Sequence, residues 1–87
     1  MINEYASNLA EQMGITLSQV IVIDGKLLGC RDSHLLQLHS DGHVESALIF
    51  QRELEDLQNG ICHDRLEARL RATLSRLQNL LGLENRP

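Results

Sequence analysis

Apolar residues recur at helical spacing at both ends of this chain and at strand spacing in its middle. Near the start, Tyr5, Ala6, Leu9, Ala10 and Met13 share one face of a 3.6-residue repeat. Asn3 before them offers an N-cap oxygen, and Gly14 after them offers the left-handed position at which helices end. The spacing predicts a helix over about residues 3–13, with Ile15 folding back over its last turn.

The middle changes period. Gln19 leads into four β-branched apolar residues, Val20 to Ile23, which predict a strand. Asp24-Gly25 followed by Lys26-Leu27-Leu28 reads as a type I′ hairpin turn with a return strand. Such an unbroken β-branched run predicts burial on both faces, hence a position inside the sheet. Gly29 then permits a bend or bulge. A second hairpin is predicted from His34-Leu35-Leu36-Gln37-Leu38 through Ser40-Asp41-Gly42 to His43-Val44. Beyond it two signals compete. Ala47, Phe50, Leu54, Leu57 and Ile61 fall at helical intervals, whereas Asp41-Gly42 demands a return strand. The reading that respects both is strand to about Ile49, then a helix to Gln58 that stops at Asn59-Gly60.

The last element has the clearest pattern. Asp64 and Glu67 have capping-box spacing, and Leu66, Leu70, Leu74, Leu77 and Leu81 form one stripe before Gly82-Leu83 closes the helix. The predicted order is α-β-β-β-β-α-α. The fold class is α+β: a small antiparallel sheet of three to four strands, flanked by an N-terminal helix and a longer C-terminal amphipathic helix, in a single domain over 1–87. Pro87 ends a short polar tail.

Composition narrows the picture. With 87 residues, 43% hydrophobic and 23% charged, the chain has globular composition but room for only one core. Tyr5 and Phe50 are the only aromatics, so that core is aliphatic. Each buried aliphatic side chain contributes about 1.5–3 kcal/mol, a marginal total at this length that self-association would relieve. The expected state is therefore a homodimer.

The formal charge of −4 is unevenly placed: residues 1–63 carry three cations against nine carboxylates, and residues 64–87 carry five against three. An acidic chain disfavours general nucleic-acid binding, which needs clustered Lys and Arg. Glu4 and Glu11 stand where a signal peptide would be apolar, and Val20 to Ile23 is far shorter than a membrane span. Cys30 and Cys62 without such a signal are expected to be reduced thiols. These observations predict a cytoplasmic protein with no membrane partner.

Candidate chemistry is sparse. Cys30, His34, His39 and His43 lie close in sequence, but their spacing matches no zinc knuckle. Cys62-His63-Asp64 precedes a helix whose dipole favours a thiolate, but the preferred reading is that Ile61 and Cys62 are small apolar residues tucking the turn into the core. Phosphate loops and nucleophile elbows are absent. No catalytic residue, metal ligand or cofactor is assigned. A small thiol- or metal-dependent protein using Cys30, Cys62 and the histidines remains an alternative.

The terminal helix carries the functional expectation. Arg65, Arg69 and Arg76 border its leucine stripe, and a small, nearly uncharged row of Ala68, Ala72, Ser75 and Asn79 lies opposite. A row of this kind lets a second helix approach closely, and the bordering arginines suit acidic groups such as Glu53, Glu55 and Asp56. These seven residues are the candidate partner-binding site. They predict a non-enzymatic protein-interaction module, whether adaptor, chaperone-like protein or small anti-regulator, that dimerises through its last helix. The alternative reading of Arg65, Arg69 and Arg76 is phosphate contact in a nucleic-acid-associated regulator.

Overall fold

A computed structural model describes residues 2–84. The order is α1 (Ile2–Gln12), β1 (Gln19–Ile23), a 3-10 turn (Gly25–Leu28), β2 (Ser33–Ser40), β3 (His43–Phe50), α2 (Gln51–Gln58) and α3 (Asp64–Glu84). The fold is α+β: a three-stranded antiparallel sheet in the order β1-β2-β3, with an N-terminal helix and a longer C-terminal helix.

The predicted first hairpin is not formed, and the sheet has three strands instead of the four in the predicted order. Asp24 caps the 3-10 turn, its side chain accepting the Lys26 N–H at 2.9 Å. Gly25 is required there by crowding, because its φ is not positive and a Cβ on it would fall 1.5 Å from the Ser33 carbonyl oxygen. A turn signal and a close-approach signal share the letters Asp-Gly, and here the second applies. The second hairpin does form. Asp41 (φ 51°) and Gly42 (φ 83°) supply the two positive φ angles of a type I′ turn between β2 and β3.

The β1 strand lies at the edge of the sheet, contrary to the interior position predicted from its β-branched run. Val22 is 38% exposed there.

Along β2 burial alternates strictly, with His34, Leu36, Leu38 and Ser40 inward. Their partners in β3 include Ala47 and Ile49, both buried. Onto this face pack Ala6, Leu9 and Ala10 of α1, Leu57 of α2, and Leu66, Leu70, Leu74 and Leu77 of α3, the last four fully buried. The leucine stripe is thus the lid of the core.

Both short helices end in the same closure. Gly14 N–H reaches the Glu11 carbonyl and Ile15 N–H the Ala10 carbonyl, while Gly60 and Ile61 repeat this with Leu57 and Asp56. These are Schellman motifs, with left-handed Gly14 and Gly60 in the position that favours glycine.

Three predicted boundaries shift. Asn3 lies inside α1 instead of capping it. Glu67 N–H bonds to the His63 carbonyl, so Asp64 and Glu67 sit in the first turn of α3, where their charge complements the dipole. Gly82 is helical and does not close α3. The roles expected of the Leu83 side chain and of Pro87 fall outside the described residues.

Candidate interaction site

All three helices cover one face of the sheet, and no described element covers the other. Strand register fixes its membership: Ile23, Leu35 and Leu48 form one row across the three strands, with Ser33 and Phe50 beside it. Val44, Leu48 and Phe50 are 45%, 45% and 42% exposed, and Ile21, Ile23 and Leu35 are half-buried. The remaining positions of the face are Gln19, Gln37, His39 and Ser46, so it carries no Asp, Glu, Lys or Arg in an otherwise charge-rich chain. Exposed aliphatic residues grouped in this way mark contact surfaces.

The hydrogen-bond phase of the ladder locates the outward backbone groups. Gln51 N–H bonds to the Asp32 carbonyl at 2.8 Å, continuing the β2–β3 register. Paired residues alternate between hydrogen-bonded and non-hydrogen-bonded positions, so Leu48 and Phe50 aim their backbone groups away from β2. One group at each position is taken by a side chain. Arg69 of α3 donates to the Leu48 carbonyl at 2.7 Å, and Glu53 Oε1 accepts the Phe50 N–H at 2.9 Å. Arg69 also pairs with Glu53 and sets its guanidinium 5.1 Å from the centre of the Phe50 ring.

Phe50 is shared between the open face and a cleft of about 550 Å³ whose lining includes Asp32, Arg52, Glu55, His63, Arg65 and Arg69. His63 Nε2 is 2.5 Å from Asp56 Oδ2, and Glu55 accepts from the Gln51 amide at 3.2 Å. Among the described residues, Arg52 and Arg65 have no ion-pair partner.

The residues singled out on α3 do not form one site. Ala68, Ala72, Ser75 and Asn79 are exposed, so no described residue covers this side of the helix. Arg69 meets the predicted acidic partner Glu53, but within its own chain. Arg76 lies 3.6 Å from Glu45 and bonds to Thr73. Of these residues Arg65 lines the cleft and makes no ion pair among the described residues. The open sheet face was missed, although Leu35 beside Leu36, and Leu48 and Phe50 alternating with Ala47 and Ile49, recorded two apolar faces.

The cysteine and histidine candidates are dispersed. Cys30 and Cys62 are both exposed and not joined by a disulfide. His34 is buried and tied to the fold, its Nδ1 accepting the Gly25 N–H at 3.0 Å and its Nε2 lying 2.5 Å from Gln51 Oε1. Among the described residues no three His, Cys, Asp or Glu side chains gather in a metal-binding group, and no helix is long and apolar enough to cross a membrane.

Tyr5 marks the seam between α1 and the start of α3. Its hydroxyl is buried without a hydrogen-bond partner among the described residues. Burial pushes its pKa above the ordinary 10.0, reinforced by Cys62, Glu67 and Asp64 and opposed by Arg71. Compared with family models, curated proteins and solved structures, the chain matches none.

Proposed function

We propose that this chain is a non-catalytic protein-interaction module of adaptor type that uses the open face of its sheet. The observation that carries the reading is the placement of Val44, Leu48 and Phe50, all more than two-fifths exposed, on a face to which the strands contribute no charged residue, beside Leu35 and Ile23. Removing that surface from water favours association at about 25 cal/mol per Å² of apolar area, before the costs of docking. The partner's chemistry follows from the face itself and from its Phe50 end, where Arg52 and Arg65 make no ion pair among the described residues while Asp32 and Glu55 line the same cleft. It is an aliphatic segment of another protein with a polar end that can meet the mixed charges of this cleft.

The exposed small row of α3 offers a poorer surface, because alanine, serine and asparagine contribute little apolar area. The nucleic-acid alternative is weakened by the commitment of Arg69 to Glu53 and of Arg76 to Glu45. A reducing, cytoplasmic setting is consistent with two exposed cysteines that form no disulfide.

A photo-crosslinking residue at position 48, compared with one at position 72 on the α3 row, tests the reading in the native cell. A discrete adduct from 48, weakened by Arg52→Glu with Arg65→Glu, supports it. An adduct from 72 alone, or none from either, overturns it.

A further inference from the structure

The β1 edge has the sequence of an interior strand and the position of a border. Val20-Ile21-Val22-Ile23 holds no charge, no proline and no glycine, the usual features that keep an exposed edge from pairing. The opposite border is treated differently: on β3 the Leu48 carbonyl is taken by Arg69 and the Phe50 N–H by Glu53. On β1, none of the described hydrogen bonds outside the β1–β2 ladder involves residues 20–23. Val22 faces the helix layer, paired with fully buried Leu36, and is still 38% exposed.

We infer that β1 pairs antiparallel with β1 of a second copy, giving a continuous six-stranded sheet with the two-fold axis at Ile21. The ladder phase permits this geometry, and an axis at Ile21, the middle of Gln19–Ile23, pairs the full length of the strand. His34, Leu36 and Leu38 bond toward β3, so Leu35 and Gln37 bond toward β1, where their partners are Ile23 and Ile21. Val20 and Val22 therefore aim their N–H and C=O groups outward. With the axis at Ile21, Val20 of one copy faces Val22 of the other, and each such pair exchanges two hydrogen bonds. Ile21 meets Ile21 of the second copy in the close, non-hydrogen-bonded position.

A second copy is specified over an unrelated strand because the segment complements itself. The central pairs set valine against valine and isoleucine against isoleucine, a favourable β-branched match on each face. No like charges meet within the strands, although each chain carries a net −4. The inference does not depend on what binds the open sheet face.

Disulfide trapping tests it. In a chain carrying Cys30→Ser and Cys62→Ser, Ile21→Cys places two thiols across the axis, where the Cα separation of about 4.5 Å falls within disulfide range. Mild oxidation should convert this variant to a covalent dimer, while Leu48→Cys in the same background should form no covalent dimer. The unsubstituted protein should scatter light as twice the chain mass. Val22→Lys should raise the dimer dissociation constant at least about tenfold, and Val22→Thr should leave it unchanged. A single-chain mass at high micromolar concentration, or trapping at 48 instead of 21, overturns the proposal. A dimer trapped at 21 whose sheet face captures nothing would uphold it while removing the adaptor reading, so the two failures are distinguishable.

Discussion

Gly25 packs against the Ser33 carbonyl so closely that the smallest side chain has no place: its Cβ would fall 1.5 Å from that oxygen. The obstruction is backbone on both sides, so rotamer change cannot relieve it. Gly25→Ala should cost about 3 kcal/mol or more, at the upper end of overpacking penalties. Gly29→Ala meets nothing within 4 Å but must hold φ at 80°. It should cost only about 1–2 kcal/mol. Urea midpoints of the two variants check the order.

Arg69 holds a buried carboxylate. Glu53 is only 7% exposed and both caps Phe50 N–H and pairs with the guanidinium. Arg69→Ala strands that charge and frees the Leu48 carbonyl, and should cost about 2–3 kcal/mol, less than a fully buried pair because Arg69 is partly solvated. Glu53→Gln removes the charge but keeps an acceptor for Phe50, and should cost roughly 1 kcal/mol. A double-mutant cycle should show coupling between the two sites.

Alkaline stability should depend on Tyr5. Its folded-state pKa is raised by burial above the ordinary 10.0, so the folded chain keeps a proton that the unfolded chain releases. Below pH 10 the hydroxyl is protonated in both states and contributes no slope; above it, stability falls as pH rises through the folded pKa. Tyr5→Phe should abolish that slope, and because the hydroxyl is buried without a partner it should leave neutral-pH stability unchanged or raised by up to about 1 kcal/mol. The chain has one tyrosine and no tryptophan, so an ultraviolet titration of tyrosinate reads this group directly.

Leucines on the two faces of the fold should behave oppositely. Leu70 is fully buried, and Leu70→Ala should cost about 2–5 kcal/mol. Leu48 is 45% exposed, and Leu48→Ser should change stability by about 0.5 kcal/mol or less while reducing partner capture. Ala72→Glu, on the open row of α3, should alter neither stability nor solution mass, because the proposed pairing of copies does not use that helix.

The helices and the second hairpin were legible because their signals are local. The leucine stripe of α3 needs only its own spacing, and Asp41-Gly42 meets the φ demand of its own turn. Asp24-Gly25 misled because its glycine answers to β2, eight residues away and outside any local window. The place of β1 was illegible for the same reason, since a strand's neighbours depend on topology and not on its own composition. At the candidate site, Arg69 was marked correctly as a residue that meets acid, but no periodicity could show that the acid is Glu53 of the same chain. That contact turns a supposed interface residue into part of the scaffold.

The guanidinium over the Leu48 carbonyl also sets a limit on growth. A sheet that can be lengthened from either flank invites endless stacking into fibrils, whereas one flank here is capped by the protein's own side chains over its Leu48–Phe50 half. Strand addition at the other flank uses up the uncapped border, which favours an assembly that stops at a closed, countable particle.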